Sequence, residues 1–467
     1  MMLMKQIELK KTIALLALLM LSMSVQASHR ALLFNEVATA KILEVWPEFA
    51  ESINNETRGM EDPGGRSLII QTGLRSHINN LLREQPSPAQ FAEGFKVLAD
   101  EFYSTSGMTT FGSRLDTAPQ ITGFQHILRE DNKLPVRFAW SVETATQPIT
   151  AAAAAGLYAT IGVQWQGINS NPWLWQRGIS SEGGWDAPNR GCQGDDLPVK
   201  PGVDVKSVKE VLEICPDFTS PNVQALMRGL QAGWRFVGVH GVGSHGFRIF
   251  VQKLEEAMEK NPGVLTLDYV RKSRHGFAHG TLTGAVPEVM EQIKHYNIYI
   301  PINLRRALAI EPDNIRQNYG EPGWAFLGPV KTLIDMGVKV VGEGEIGRPD
   351  PTTYFKQADV FVNREISNGT SERRPIPKNF GEGQVYVPEE GVDRVVALKL
   401  LTYRSADFHY AEDKIGSLEL GKFADFAVID KDFLSGPDTE VRHNKVLMTI
   451  LAGETRYKDP AYNPVER

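Results

Sequence analysis

Short, almost wholly apolar runs alternate with helical stretches along most of this chain, and that alternation limits its fold more than any other feature. Residues 136–142 (VRFAWSV), 159–166 (ATIGVQWQ), 235–240 (RFVGVH), 276–279 (GFAH), 297–303 (NIYIPIN) and 338–342 (VKVVG) read as strands. Residues 151–155, 246–259, 286–295, 328–336 and 393–403 read as helices. Strands that alternate with helices pair in parallel, and strands this apolar are covered on both faces. The expectation is an α/β fold with a parallel sheet, open or closed into a (β/α) barrel, and 467 residues suffice for such a barrel with appendages. Two stretches depart from the pattern. Residues 167–201, rich in Gly, Asn, Trp and Asp, read as a long loop, and residues 363–388 are irregular and polar. Residues 414–430 and 445–457 read as two strand-like runs of a small β-domain beside the barrel.

The first residues carry a leader pattern. Lys5, Lys10 and Lys11 precede the apolar run 13–21 (IALLALLML), and Val25-Gln26-Ala27 supplies small residues for cleavage after Ala27. That run is too short to span a bilayer, which takes about 20 apolar residues. The expected organisation is a signal peptide at 1–27, a barrel at 28–410 and a C-terminal β-domain at 411–467 completing a small sandwich. The mature protein is then exported, periplasmic or secreted, with no stable membrane span. A net charge of −6 and the absence of a dense Lys/Arg patch argue against nucleic-acid binding. In an oxidising compartment Cys192 and Cys215 could pair, though their spacing alone does not decide it.

Chemistry concentrates at the strand ends. His240 closes RFVGVH and His279 closes GFAH, and the C-terminal ends of barrel strands meet at one mouth. Two neutral imidazoles there suit a divalent cation, Zn first, that polarises an amide carbonyl and acidifies water. Taken singly, each histidine is as readily a hydrogen-bonded structural residue; their placement at successive strand ends favours ligation. Gly276 disfavours an i, i+4 helical pairing of His275 with His279. His245 falls in the turn into the following helix. Trp165, Trp173, Trp175 and Trp185 either pack the long loop or line a pocket, and packing is the stronger reading.

Several segments resemble the amidohydrolase superfamily. GSLELGKFADFAVID is similar to its C-terminal signature, GVHGVGSHGFRIFVQKLEEAM to its strand-five region and HGFAHGTLTGAVPEVMEQI to its strand-six region, in the branch that includes N-substituted formamide deformylase. SHRALLFNEVATAKILEV and GMTTFGSRLD are similar to earlier segments. The resemblance implies a metal-dependent hydrolase barrel acting on non-peptide C–N bonds of a small amide, lactam or formamide. It implies His240 and His279 as metal ligands, and Glu345, in GEGEIG, as the strand-eight catalytic carboxylate. It also exposes departures. No His-x-His occurs in the chain, so the first strand is expected to be missing, and the bridging strand-four lysine falls at Gln164. Two histidines and one carboxylate make an incomplete site, enough for one weakly held cation. A seven-stranded remnant has two free edges, which a second copy would cover as a homodimer. The chain is similar as well to exported exoenzyme regulators of soft-rot plant-pathogenic bacteria, which implies control of extracellular enzyme production by binding or processing a small signal.

Overall fold

The computed structural model describes residues 86–115, 118–143, 167–181, 192–203, 221–344, 349–366 and 383–463, with residues 32–34, 68–70, 185, 216 and 218. The segment 1–27, Gln164, Cys215 and Glu345 lie outside the described residues. The chain divides into two units, one of residues 1–87 and 145–148 and one holding the rest. In the first, β1 (Leu32–Phe34) pairs antiparallel with β2 (Leu68–Ile70).

The second unit carries the sheet that the alternation predicts. Its strands are β3 (Thr110–Leu115), β4 (Arg137–Glu143), β5 (Leu174–Ser181), β6 (Phe236–Gly241), β7 (Gly276–His279), β8 (Tyr299–Ile302) and β9 (Lys339–Gly342). They pair in parallel, in the order of the sequence. The helices are α1 (Pro88–Leu98), α2 (Ala118–Asp131), α3 (Pro221–Gln231), α4 (Ser244–Lys260), α5 (Leu267–Ser273), α6 (Pro287–His295), α7 (Leu304–Asn314), α8 (Val330–Asp335), α9 (Thr353–Asn363), α10 (Arg394–Leu401) and α11 (Tyr403–Phe408). Among the described residues none of them is long and apolar enough to cross a membrane.

The packing shows that the sheet curls. Phe408, at the end of α11, shares one buried cluster with Val237 of β6, Tyr299 of β8 and Val341 of β9. The next residue, His409, lies against Gly112 of β3 and Arg177 of β5. In a flat sheet, six strand spacings would separate β3 from β9 by about 29 Å. Two consecutive residues reach both ends only because the sheet wraps around them as a seven-stranded half-barrel. Among the described residues no ladder joins β9 back to β3.

The outer face is dry. On α4, Phe247, Phe250, Val251 and Leu254 recur at helical spacing and are buried. The Phe250 ring lies 4.8 Å from that of Phe277 and 5.2 Å from that of Phe236. Burying each such side chain contributes about 1.5–3 kcal/mol.

Two expectations are corrected. Residues 167–201 are not one long loop, because Leu174–Ser181 is a central strand. Its sequence, LWQRGISS, hides the strand because buried Arg177 and the register shift between Trp140 and Ser141, opposite Gly178, break the apolar run. The C-terminal region contains three antiparallel strands instead of two runs: β10 (Phe426–Ile429), β11 (Val446–Leu451) and β12 (Glu454–Lys458). Residues 414–425 form turns, bends and irregular backbone.

One buried ion pair ties this small sheet to the half-barrel. Arg137, at the start of β4, donates from Nε to Asp425 Oδ2 (2.6 Å) and from Nη2 to Oδ1 (3.1 Å). Its guanidinium is sandwiched 4.4 Å from the Trp173 ring and 4.2 Å from the Phe423 ring. Both charged side chains are essentially unexposed. Asp425→Ala leaves Arg137 charged and buried, so stability should fall by about 3–5 kcal/mol. A lower urea midpoint with an unchanged slope is the expected result, and an unchanged midpoint refutes the role given to this pair.

Candidate functional site

β6 and β7 deliver the two histidines by different means. In β6, Phe236 and Val239 pack into the outer core, while Val237 belongs to the inner cluster, so His240 faces inward. In β7, Ala278 pairs with His240 and His279 with Gly241. Alternation would therefore turn His279 outward with Phe277 and Gly241. The backbone prevents this: His279 has a φ of 84°, a left-handed conformation rare outside glycine. That turn swings its ring inward, placing His279 Nε2 2.9 Å from His240 Nε2 with the rings at 82°. Both histidines are buried.

Glu343, which follows β9, holds that backbone. Its Oε2 accepts the His279 backbone N–H at 2.6 Å, and its Oε1 lies 3.1 Å from His279 Nδ1. A left-handed non-glycine residue costs on the order of 1–3 kcal/mol, and the hydrogen bond from its N–H to the Glu343 carboxylate helps to offset it. Inward orientation of Glu343 follows from Val341, two residues earlier, which faces the inner cluster. With Nδ1 toward the carboxylate, Nε2 of His279 faces His240, the arrangement that commonly presents an imidazole to a metal.

A divalent cation fits these two nitrogens by chemistry and by position. Zn–N bonds of about 2.0–2.1 Å in tetrahedral geometry set ligand nitrogens about 3.3 Å apart, so the rings need open by only a few tenths of an ångström. Among the described residues no group of three or more His, Cys, Asp or Glu converges on one point. Glu343 grips the far side of His279 and serves as its orienting partner.

Below this pair the interior is cationic. Arg177 of β5 is buried, and its Nη1 lies 3.3 Å from His409 Nδ1. Burial, then Arg235 and Arg114, push the Arg177 guanidinium down to about 9, against a smaller opposing effect of Glu343. Only glycine fits at position 112, where a Cβ would meet His409 Nε2 at 2.6 Å and Arg177 Nη1 at 3.1 Å. Arg235, deeper, donates to the carbonyl oxygens of Arg274, Arg177 and Phe408, and its guanidinium lies against Phe408 and Tyr410. Toward the rim, Arg114 of β3 pairs with buried Glu143 of β4 at 3.3 Å. Sequence reasoning singled out neither Glu343 nor Arg177. The second glutamate of GEGEIG is Glu345, and the period of two in a strand was the signal that could have pointed to Glu343 as well.

Trp165 lies outside the described residues, and Trp175 and Trp185 are packing residues. Trp175 donates from Nε1 to His409 O, and Trp185 from Nε1 to Gly246 O, each at 2.8 Å and buried. Cys192 is disulfide-bonded, and its backbone N–H donates to Val242 O at 2.7 Å. Trp185 and Cys192 are thus both bonded to the segment that follows His240.

With this geometry in place, the comparisons give the class. A family model described as the amidohydrolase family matches residues 199–457, more than half of the chain. The chain belongs to that family. N-substituted formamide deformylase of Arthrobacter pascens is 26% identical over 132 residues, which is 28% of this chain and 22% of the deformylase. The match therefore spans about a fifth of that relative. An uncharacterized metal-dependent hydrolase of Pyrococcus furiosus shares the fold with a TM-score of 0.53 at 17% identity, covering 83% of this chain and 70% of that one. Its counterpart from Pyrococcus horikoshii OT3 gives 0.51 at 15% identity, covering 85% and 70%.

Two buried neutral histidines set a pH response. Burial, and then Arg235, lower His275 to about 3, while its Nδ1 accepts the Phe236 N–H at 3.1 Å. Burial, Arg177 and Arg235 hold His409 well below the usual imidazole value. Below pH 6.5 the unfolded chain takes up protons at these sites and the native chain does not, so stability rises with pH there. Each histidine should remove about 1.4 kcal/mol per pH unit as pH falls from 6.5 toward 5. Urea midpoints measured from pH 7 to 5 should fall, and less steeply in His275→Gln; a flat wild-type profile contradicts the assignment.

Proposed function

We propose that this chain is an exported amidohydrolase that cleaves a non-peptide C–N bond of a small amide with one divalent cation, Zn first, held by His240 and His279. The observation that carries the reading is the 2.9 Å approach of the two Nε2 atoms at adjacent strand ends. Bound there, the cation supplies Lewis-acid polarisation of the carbonyl and a water acidified toward neutral pH. Glu343 sets the direction of His279 by accepting its backbone N–H. Glu345, two positions further on, is the proposed catalytic carboxylate that takes the proton from the attacking water and returns it to the leaving nitrogen. The buried interior excludes bulk water and strengthens every charge interaction within it.

Elemental analysis tests the metal reading. Wild-type protein should retain near one equivalent of metal, and His240→Ala/His279→Ala should lose it together with amide turnover. Glu343→Ala should bind metal about 10–100-fold more weakly, as loss of an orienting partner does. Metal below about a tenth of an equivalent in the wild type ends the reading, because catalytic sites hold metal tightly.

Export rests on the pattern of residues 1–27. Intact-mass analysis of protein from a periplasmic extract should give a chain beginning at Ser28; a full-length cytoplasmic chain refutes it. Control of exoenzyme production belongs to the same proposal, with the bound or processed amide as the signal. A deletion strain complemented by wild type but not by His240→Ala/His279→Ala supports it, and complementation by the double variant separates regulation from this site.

A further inference from the structure

Arg177 is buried without the partners a buried guanidinium requires. Among the described residues its side chain has a single hydrogen-bonding partner, His409 Nδ1, on Nη1. Its Nε is buried with no partner at all. No carboxylate among the described residues forms an ion pair with it, whereas Arg114 has Glu143 and Arg137 has Asp425. Deeper Arg235 is saturated by three carbonyl oxygens. Among the described residues, Arg177 presents an unengaged edge formed by Nε and Nη2, whereas Arg137 and Arg235 do not.

The surroundings of that edge are small and polar. Gly238 of β6 has no side chain, and a Cβ built there would stand 3.8 Å from Arg177 Nη2 and 3.6 Å from Ser180 Cβ. Ser180 Oγ is 3.1 Å from Ser141 Oγ of β4. Gly238 precedes His240 by two residues, at the register shift between Val237 and Val239, so the guanidinium lies against β6 just before the strand reaches the histidine pair. Burying an unpaired cation costs several kcal/mol, and a planar carboxylate matches a guanidinium edge with two parallel hydrogen bonds.

We propose that the Nε–Nη2 edge of Arg177 is a carboxylate-binding subsite, so that the molecule entering this barrel is an amide that also carries a free carboxylate, its carboxylate seated on Arg177 and its amide directed toward His240 and His279. This deepens the hydrolase reading and rests on it for the role of the amide. The anion subsite itself stands without metal.

The test uses the full mature chain and a matched pair of probes, N-acetylglycine and N-acetylglycinamide, which differ in one charge. N-acetylglycine should raise the melting temperature of the wild type and bind in calorimetry, and the neutral amide should do neither. Arg177→Met should weaken N-acetylglycine binding by at least about tenfold, the loss expected for one bidentate charge-assisted contact. Its unliganded melting temperature should not fall, since the variant removes an uncompensated buried charge. Binding should persist in His240→Ala/His279→Ala; if that variant binds the probe but turnover and metal are absent from the wild type, the hydrolase reading fails and the subsite survives. Equal responses of the wild type to both probes, or no response to either, overturn the proposal whether or not Arg177→Met folds. So does an equal response to sulfate at matched ionic strength, which would make the site a general anion trap.

Discussion

The geometry of the molecule depends on two consecutive side chains, Phe408 and His409, filling the concave side of a parallel sheet. Phe408 touches the inner residues of β6, β8 and β9, and His409 those of β3 and β5. A sheet that satisfies both must curl, and curling brings the C-terminal ends of its strands to one rim. The plug has a polar cost, which Trp175 offsets by donating to His409 O and Arg235 by donating to Phe408 O. Neutral His409 accepts from Arg177, so the same plug sets the charge pattern of the interior.

At the rim, function and strain coincide. β7 on its own would aim His279 at the outer helices. One left-handed residue reverses that aim, and a carboxylate from β9, two strands away, makes the reversal tolerable through a backbone and a side-chain contact. Glu343 therefore couples the strand that supplies it to the direction of an imidazole on another. Strained conformations of this kind persist where surrounding contacts over-determine them, and active sites are where they gather.

Buried charges divide into two kinds. Arg137, Arg235 and Arg364 are saturated: by Asp425 and two aromatic rings, by three carbonyl oxygens, and by the carbonyl oxygens of Tyr386, Gly328 and Leu327. These cross-link segments distant in sequence, as an architectural residue does. Arg177 is not saturated, and it lies in the interior beneath the histidines. That contrast within one protein separates a structural arginine from one prepared for a ligand.

Much of this was legible in the chain. Apolar runs separated by helical periods gave the parallel sheet, because strands buried on both faces leave a continuous signal. His240 and His279 could be picked out as strand-terminal residues, and the GSLELGKFADFAVID segment does supply Asp425, the anchor of the small sheet. β5 was not legible, since buried Arg177, Gly178 and three serine or glutamine positions imitate a loop. Local pattern reports what each residue prefers within its own few turns, and so it gave the fold class and most of the apolar strands but not β5. The inward turn of His279, the choice of Glu343 as its partner and the isolation of Arg177 depend on residues brought together across strands. Contacts of that kind exist only once the sheet has curled around its plug, and tertiary structure alone decided them.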